Sequence, residues 1–98
     1  GKLSLNQLMS LVCENPIKIF SIKNKGFIRE GYDADFTIVD MNKKIVIKNE
    51  NIESKCGWSP FNGFEFKGAP MATIISGKIK MKEGKILGDP EGTPLEFI

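Results

Sequence analysis

The period of the apolar residues changes once along this chain, and that change is the strongest constraint on its fold. Up to about residue 21 the apolar side chains recur every three or four positions, as on one face of a helix. From residue 26 onward they form short runs separated by glycine, asparagine and lysine, as in strands joined by turns. The sequence therefore predicts a mostly β chain preceded by a pair of short helices, an odd order for an independent domain.

Two consecutive helix starts are predicted within residues 4–21. Ser4 is a candidate N-cap, and Gln7 three residues later completes a capping box. Because Pro16 disfavours a helical conformation at Asn15, the first helix should end just before Asn15. Asn15 would then cap a second helix with Pro16 at its first position. The predicted inward face of the first helix consists of Leu5, Leu8, Met9 and Val12.

Six strands are predicted after the change of period. Gly77 and Gly84 lie where tight connections are needed, since glycine tolerates positive φ without strain. Residues 72–87 should therefore form a hairpin that runs into a further short strand. The predicted strands are residues 27–29, 36–40, 44–48, 72–76, 78–82 and 85–87.

Residues 49–70 are predicted to be a long loop with an unusual number of large aromatic side chains. A loop surrounded only by solvent would not carry Trp58, Phe61, Phe64 and Phe66 together. Since large aromatic residues most often act through burial, we expect the loop to pack on a neighbouring domain. The alternative is a lid near a ligand site.

The composition excludes most catalytic designs. The 98 residues contain no histidine, which removes the commonest general acid–base, the Ser-His-Asp and Cys-His arrangements, and the usual zinc ligand. A net charge of +2 with dispersed lysines predicts no nucleic-acid partner, and no apolar run predicts a membrane span. Cys13 and Cys56 are expected to be reduced thiols, which fits a cytoplasmic protein.

Two phrases of the sequence resemble the C-terminal signature of the amidohydrolase superfamily. Residues 15–20 read N-P-I-K-I-F, and residues 26–40 read G-F-I-R-E-G-Y-D-A-D-F-T-I-V-D. The second phrase also has a direct physical interpretation. Gly26 and Gly31 permit tight turns, Ala34 allows close approach, and Asp35 can accept hydrogen bonds from turn N–H groups. We expect Asp33 and Asp35 to cap turns rather than to take part in catalysis.

Two further phrases resemble the tail of dihydroorotases in particular. Residues 54–63 read S-K-C-G-W-S-P-F-N-G, and residues 72–78 read A-T-I-I-S-G-K. The proline–aromatic element and the strand ending in Gly-Lys are shared with dihydropyrimidinases and allantoinases. The resemblance covers essentially the whole chain.

The resemblance implies a definite organisation and reaction. Residues 1–25 would be the terminal helices of a metal-dependent TIM barrel whose remainder is absent, and residues 26–98 part of a composite β-sandwich. The parent enzyme would be a cytoplasmic zinc hydrolase that reversibly converts dihydroorotate to N-carbamoyl-aspartate in pyrimidine biosynthesis. The family's ligands are histidines, a modified lysine and an aspartate, and none maps onto this chain. Neither Lys18 nor Lys55 has a matching motif.

We therefore predict no catalytic, cofactor-binding or metal-binding residue in this chain, and no activity of the chain alone. Its predicted partners are the missing N-terminal part of the same protein and, through an oligomer surface, further copies. Two alternatives remain open: a stand-alone, non-catalytic β-rich assembly module, or the tail of an allantoinase- or dihydropyrimidinase-type hydrolase. The helix pair separates the first alternative from the main hypothesis, because an independent module would have no layer to cover its apolar face.

Overall fold

A computed structural model describes residues 2–98 of the chain. Gly1, the first residue of the predicted helical region 1–25, lies outside the described residues. The helical region contains α1 (Leu5–Met9), a π-helical segment (Ser10–Glu14) and α2 (Asn15–Phe20). The predicted capping box is confirmed: the Gln7 N–H donates to Ser4 Oγ at 3.1 Å, and the Ser4 N–H donates to Gln7 Oε1 at 2.8 Å.

The predicted break before Asn15 is wrong, because the π-helical segment joins the two helices directly. Asn15 is itself helical, with φ −64° and ψ −42°, and its N–H donates to the Ser10 carbonyl. It is therefore not the N-cap of α2. In a regular α-helix Pro16 would lack a hydrogen bond and clash with a carbonyl of the preceding turn. The wider π turn accommodates this residue without ending the helix.

The β region is one antiparallel sheet with the strand order β1-β2-β3-β4. The strands are β1 (Phe36–Val46), β2 (Glu65–Ile75), β3 (Lys78–Lys82) and β4 (Lys85–Ile86). The limits of β3 agree with the prediction. The predicted strands 36–40 and 44–48 are a single strand, and β2 begins seven residues earlier than predicted.

Irregular pairing between β1 and β2 explains both differences. Residue partners change between Asp40 and Lys44, so that Gly68, with φ +99°, lies opposite a three-residue bulge. Asp40 Oδ1 accepts the Asn42 N–H at 2.9 Å inside this bulge. A second register shift lies beside Pro70, which has no N–H for a regular ladder. Gly68 and Pro70 suggest a loop in the sequence, but the bulges keep both within the strand.

The two tight connections of the hairpins form as predicted. Ser76 and Gly77 both have positive φ, at 50° and 78°, and so do Glu83 and Gly84, at 50° and 81°. Two central residues with positive φ are typical of type I′ turns, whose twist matches that of the strands they join.

The predicted strand 27–29 is wrong. These residues are irregular, and none of the four strands pairs with them. Local stacking holds the segment instead: the Arg29 guanidinium lies 4.4 Å from the ring centre of Phe27 and 5.8 Å from that of Tyr32. The turn predicted at Glu30-Gly31 is present, with the Tyr32 N–H donating to the Arg29 carbonyl at 3.1 Å.

The C-terminal residues return to the end of the helical region. Phe97 forms an antiparallel bridge with Ile22, the Lys23 N–H donates to the Glu96 carbonyl at 2.8 Å, and the Ile98 N–H donates to the Ser21 carbonyl at 2.8 Å. Among residues 2–98, no Cα atom of a helical segment lies within 8 Å of a Cα atom of a strand. The helix and the sheet are thus joined through their connecting segments and not through a shared core.

Candidate docking surface

The apolar face of the helical region is exposed along its whole length. Its predicted inward residues, Leu5, Leu8, Met9 and Val12, each expose between 43 and 61% of their surface. Leu11, Ile19 and Phe20 are exposed as well. The helical spacing of these residues is as predicted, but no element among the described residues covers them. A helix of this length is marginal in water unless its apolar face is buried.

A second exposed apolar region lies at the start of β2. Phe61, Phe64 and Phe66, which we call the aromatic cluster, contact one another edge to face or tilted, with ring centres 5.7 to 6.4 Å apart. Each ring still exposes between 42 and 53% of its surface, and nearby Trp58 exposes 59%. The predicted packing of these aromatic residues on another domain has no counterpart within this chain.

The loop that carries these rings is held in place by polar side chains. The Asn49 N–H donates to Asn62 Oδ1 at 2.8 Å, and the Ser59 N–H donates to Asn49 Oδ1 at 2.9 Å. The Ile47 N–H donates to the Phe64 carbonyl at 2.9 Å, which closes the loop at its base. The loop therefore presents its aromatic side chains in a defined arrangement before any partner is bound.

The chain buries few side chains for its length. Ala69, with 4% of its surface exposed, is the only buried apolar residue that the structure describes. The accessible surface is 8204 Å², whereas a compact protein of this mass exposes about 5,600 Å². The radius of gyration of 15.4 Å likewise exceeds the roughly 12.6 Å of a compact chain of this length. Twenty-five large hydrophobic side chains are exposed among residues 2–98, and exposed apolar surface of this extent is characteristic of an interaction site.

One cluster of charged residues lies at the junction of helix and sheet. Lys25 Nζ is 2.9 Å from Asp33 Oδ2 and 2.6 Å from Asp35 Oδ2, and the Ser76 N–H donates to Asp35 Oδ1 at 2.8 Å. The hydrogen bonds from Lys25 and then from Ser76 lower the pKa of Asp35. Hydrogen bonds to Asp35 and then to Asp33 raise the pKa of Lys25. Asp35 accepts a hydrogen bond from a turn N–H, as predicted. The Asp33 carboxylate pairs with Lys25 instead of capping a turn, which was not predicted.

A second charged cluster lines an open cavity of about 580 Å³ between β3 and the C-terminal segment. Lys78 Nζ is 3.0 Å from Glu91 Oε1, Lys80 pairs with the other oxygen of Glu91, and Lys80 also donates to the Asp89 carbonyl at 3.0 Å. These lysines, Lys80 first, lower the pKa of Glu91. The Glu91 carboxylate contacts both amines, so the cluster fastens residues 89–91 to the sheet.

The residues of this chain do not fit the zinc site that the resemblance implies. The sequence has no imidazole donor, and no group of three or more cysteine or carboxylate side chains comes together among residues 2–98. The carboxylates of Asp33 and Asp35 are both occupied by Lys25. That no metal or catalytic residue belongs to this chain stays a prediction. Cys13 and Cys56 are free and exposed, on the helix and in the loop as predicted.

Comparison with known proteins shows which family the chain belongs to. The sequence model of the Amidohydrolase family matches residues 1–80. The chain belongs to the amidohydrolase family. It is 46% identical over 92 residues to a dihydroorotase from Pyrococcus furiosus, a match that covers 94% of this chain and 22% of the relative. It is 38% identical over 94 residues to an allantoinase from Desulfitobacterium hafniense, covering 96% of this chain and 21% of the relative.

The fold agrees with that of solved amidohydrolase structures. The L-hydantoinase from Arthrobacter aurescens superposes with a TM-score of 0.85 at 33% identity, over 91% of this chain and 20% of that chain. The chain thus spans about a fifth of the length of the relatives it matches. No helix among the described residues is long and apolar enough to cross a membrane.

The sequence indicated most of this surface but not how open it is. The helical face and all four aromatic residues follow from hydrophobic spacing and composition. The hydrogen bond between Asn49 and Asn62 was not predicted, since its partners are thirteen residues apart and asparagine is common in loops. The Lys78–Lys80–Glu91 cluster was also missed. Lysines at alternating positions of one strand share a face, and this is the signal that points to a common partner.

Proposed function

We propose that this chain is the C-terminal structural portion of a dihydroorotase-type cyclic amidohydrolase, and that its exposed apolar surface is covered by the rest of the same polypeptide. The observation that carries the proposal is the mismatch between a well-defined sheet and a nearly absent core. The relatives indicate which polypeptide would cover the surface, because about four-fifths of their length lies outside the matched region.

In this proposal residues 1–25 end the catalytic barrel and residues 26–98 belong to the adjoining β domain. The parent would hydrolyse dihydroorotate reversibly to N-carbamoyl-aspartate, as part of pyrimidine synthesis in the cytoplasm. Zinc and its ligands would lie in the remainder of the protein, and the chain alone would be inactive. Homo-oligomer contacts would add to, and not replace, the contact with the barrel.

A second substrate class is favoured by specific relatives. An allantoinase and a hydantoinase match about as much of this chain as the Pyrococcus furiosus dihydroorotase does, at lower identity. All three names describe hydrolysis at a cyclic amide or a closely related ring. A tail without catalytic residues would not distinguish among these substrates, which is consistent with its similarity to all of them.

A chimaera tests the structural role. The 92 residues of the Pyrococcus furiosus dihydroorotase that match this chain would be replaced by the corresponding residues of this chain, and hydrolysis of dihydroorotate would be measured. We expect a soluble enzyme that keeps its activity, whereas deletion of the same residues should give an insoluble or inactive protein. A folded chimaera without activity would mean that the tail contributes chemistry, and would contradict the proposal.

A further inference from the structure

The connection between the helix and the sheet depends on a short turn, residues 24–26, that is fixed from both sides. On the helix side, Gly26 approaches the backbone closely: a Cβ at this position would lie 2.6 Å from the Cys13 carbonyl oxygen and would overlap the Ile17 side chain. The turn is therefore seated directly on the helix. Its φ of +83° at Gly26 is a conformation that other residues adopt only with strain.

On the sheet side, the Lys25 side chain crosses to the segment that leads into β1. Its Nζ contacts Asp33 and Asp35 at 2.9 and 2.6 Å, and the other oxygen of Asp35 accepts the Ser76 N–H from the turn between β2 and β3. The Gly77 N–H donates to the Ala34 carbonyl at 3.0 Å beside it. Asp35 thus links Lys25 to a hairpin 41 residues further along the chain.

We infer that Lys25, Asp35 and the Ser76 N–H form a latch that fixes the orientation of the helix relative to the sheet. The helix and sheet share no packed core, so side-chain packing does not set their angle. The other links are backbone bonds: the Asp33 N–H to the Asn24 carbonyl, and the bridge between Ile22 and Phe97 with its flanking bonds from Lys23 to Glu96 and from Ile98 to Ser21. None of these bonds reaches the turn between β2 and β3, to which Lys25 is connected through Asp35.

The low exposure of the Lys25 side chain supports this role. Only 25% of its side chain is exposed, against 53% for Lys23 two residues earlier, which approaches Glu96 only to 3.9 Å. Lys23, directly before the same turn, therefore offers a matched control. The inference concerns this chain's own geometry and does not depend on the activity proposed for the parent.

The two native cysteines allow a direct test without engineering a label site. Cys13 lies on the helix and Cys56 in the loop between β1 and β2; both are free and exposed, and the chain has no other cysteine. Spin labels on both would report the helix–sheet distance by pulsed electron–electron resonance, in samples diluted with unlabelled chain so that only intramolecular distances contribute.

We expect one narrow distance distribution for the unmodified chain and for Lys23→Met, and loss of that narrow distribution for Lys25→Met. Asp35→Asn keeps an acceptor for the Ser76 N–H, loses the carboxylate charge 2.6 Å from Lys25 and leaves Lys25 paired only with Asp33, so it should also broaden the distribution. Unchanged circular dichroism would show that the variants remain folded. The latch is refuted by a narrow distribution in folded Lys25→Met, or by a broad one already present in the unmodified chain.

Discussion

Gly26 lies against Cys13 so closely that no side chain fits between the turn and the helix. A Cβ on Gly26 would be 2.6 Å from the Cys13 carbonyl oxygen, whereas real Cβ contacts are longer than 3.0 Å. The neighbouring atom on this side is backbone, which cannot move without disturbing the helix. This close approach explains why position 26 is a glycine.

Gly26→Ala should therefore destabilise the chain more than Gly31→Ala does. Both glycines have nearly the same φ, +83° and +84°, but a Cβ on Gly31 meets no atom within 4 Å. Gly31→Ala measures the strain of positive φ alone, and the overlap at Gly26 should add about 1–3 kcal/mol. Thermal unfolding followed by far-UV circular dichroism compares the two. Equal losses of stability would show that the contact with the helix is absent.

Asn62→Ala should loosen the aromatic loop. The variant leaves the Asn49 N–H without its acceptor, at a cost of about 0.5–1.5 kcal/mol. Trp58, the single tryptophan of the chain, reports the change through acrylamide quenching of its fluorescence, which should increase. Asn51→Ala, in the same loop but without a part in the Asn49–Asn62 hydrogen bond, is the control and should leave quenching unchanged. Similar quenching in both variants would mean that this hydrogen bond does not order the loop.

The C-terminal segment should become less firmly attached in acid. Because Lys80 and Lys78 lower the pKa of Glu91, the folded state binds its proton less readily than the unfolded state does. The stabilisation is present above the ordinary glutamate value of 4.5 and is lost as pH falls through the lower folded pKa. Carbon NMR titration of Glu91 should give a midpoint below 4.5, and Lys80→Met should raise it more than Lys78→Met. A midpoint that neither variant changes would contradict the ion pairs of Glu91 with Lys78 and Lys80.

The chain by itself should self-associate. The outer side of β1 has no partner strand among the described residues, and exposed apolar side chains flank it. An open strand edge of this kind pairs readily with other chains. Sedimentation velocity should show oligomers, and Ile38→Lys, which places a charge in β1, should shift them toward monomer. Lys43→Arg keeps the charge and should not. A monomer that unfolds cooperatively would contradict the expectation.

The sequence predicts local structure well where the signal itself is local. The capping box at Ser4, the strand at residues 78–82 and the turns at Gly77 and Gly84 each depend on neighbouring residues, and each is confirmed. The helix–strand boundary also follows from a change in hydrophobic period. These features need no information about the rest of the fold.

The features that the sequence did not predict depend on distant partners. Gly68 and Pro70 resemble loop residues until β1 supplies the bulges that retain them in β2. Residues 27–29 have a strand-like composition but no partner strand, and Arg29 stacks on Phe27 instead. The prediction that this chain carries no catalytic residue rests on composition, because histidine is missing. The link from Asp35 to Ser76, across 41 residues, was not.

The central claim is that a longer polypeptide covers this chain's exposed surface, and the size of the native product tests it most directly. An antibody raised against the 98-residue chain would be used on a lysate of the source cells, after denaturing electrophoresis. Since the chain spans about a fifth of its relatives, we predict a single band several times heavier than the chain. A band at the size of the chain itself would contradict the claim, and would favour a separate module or subunit.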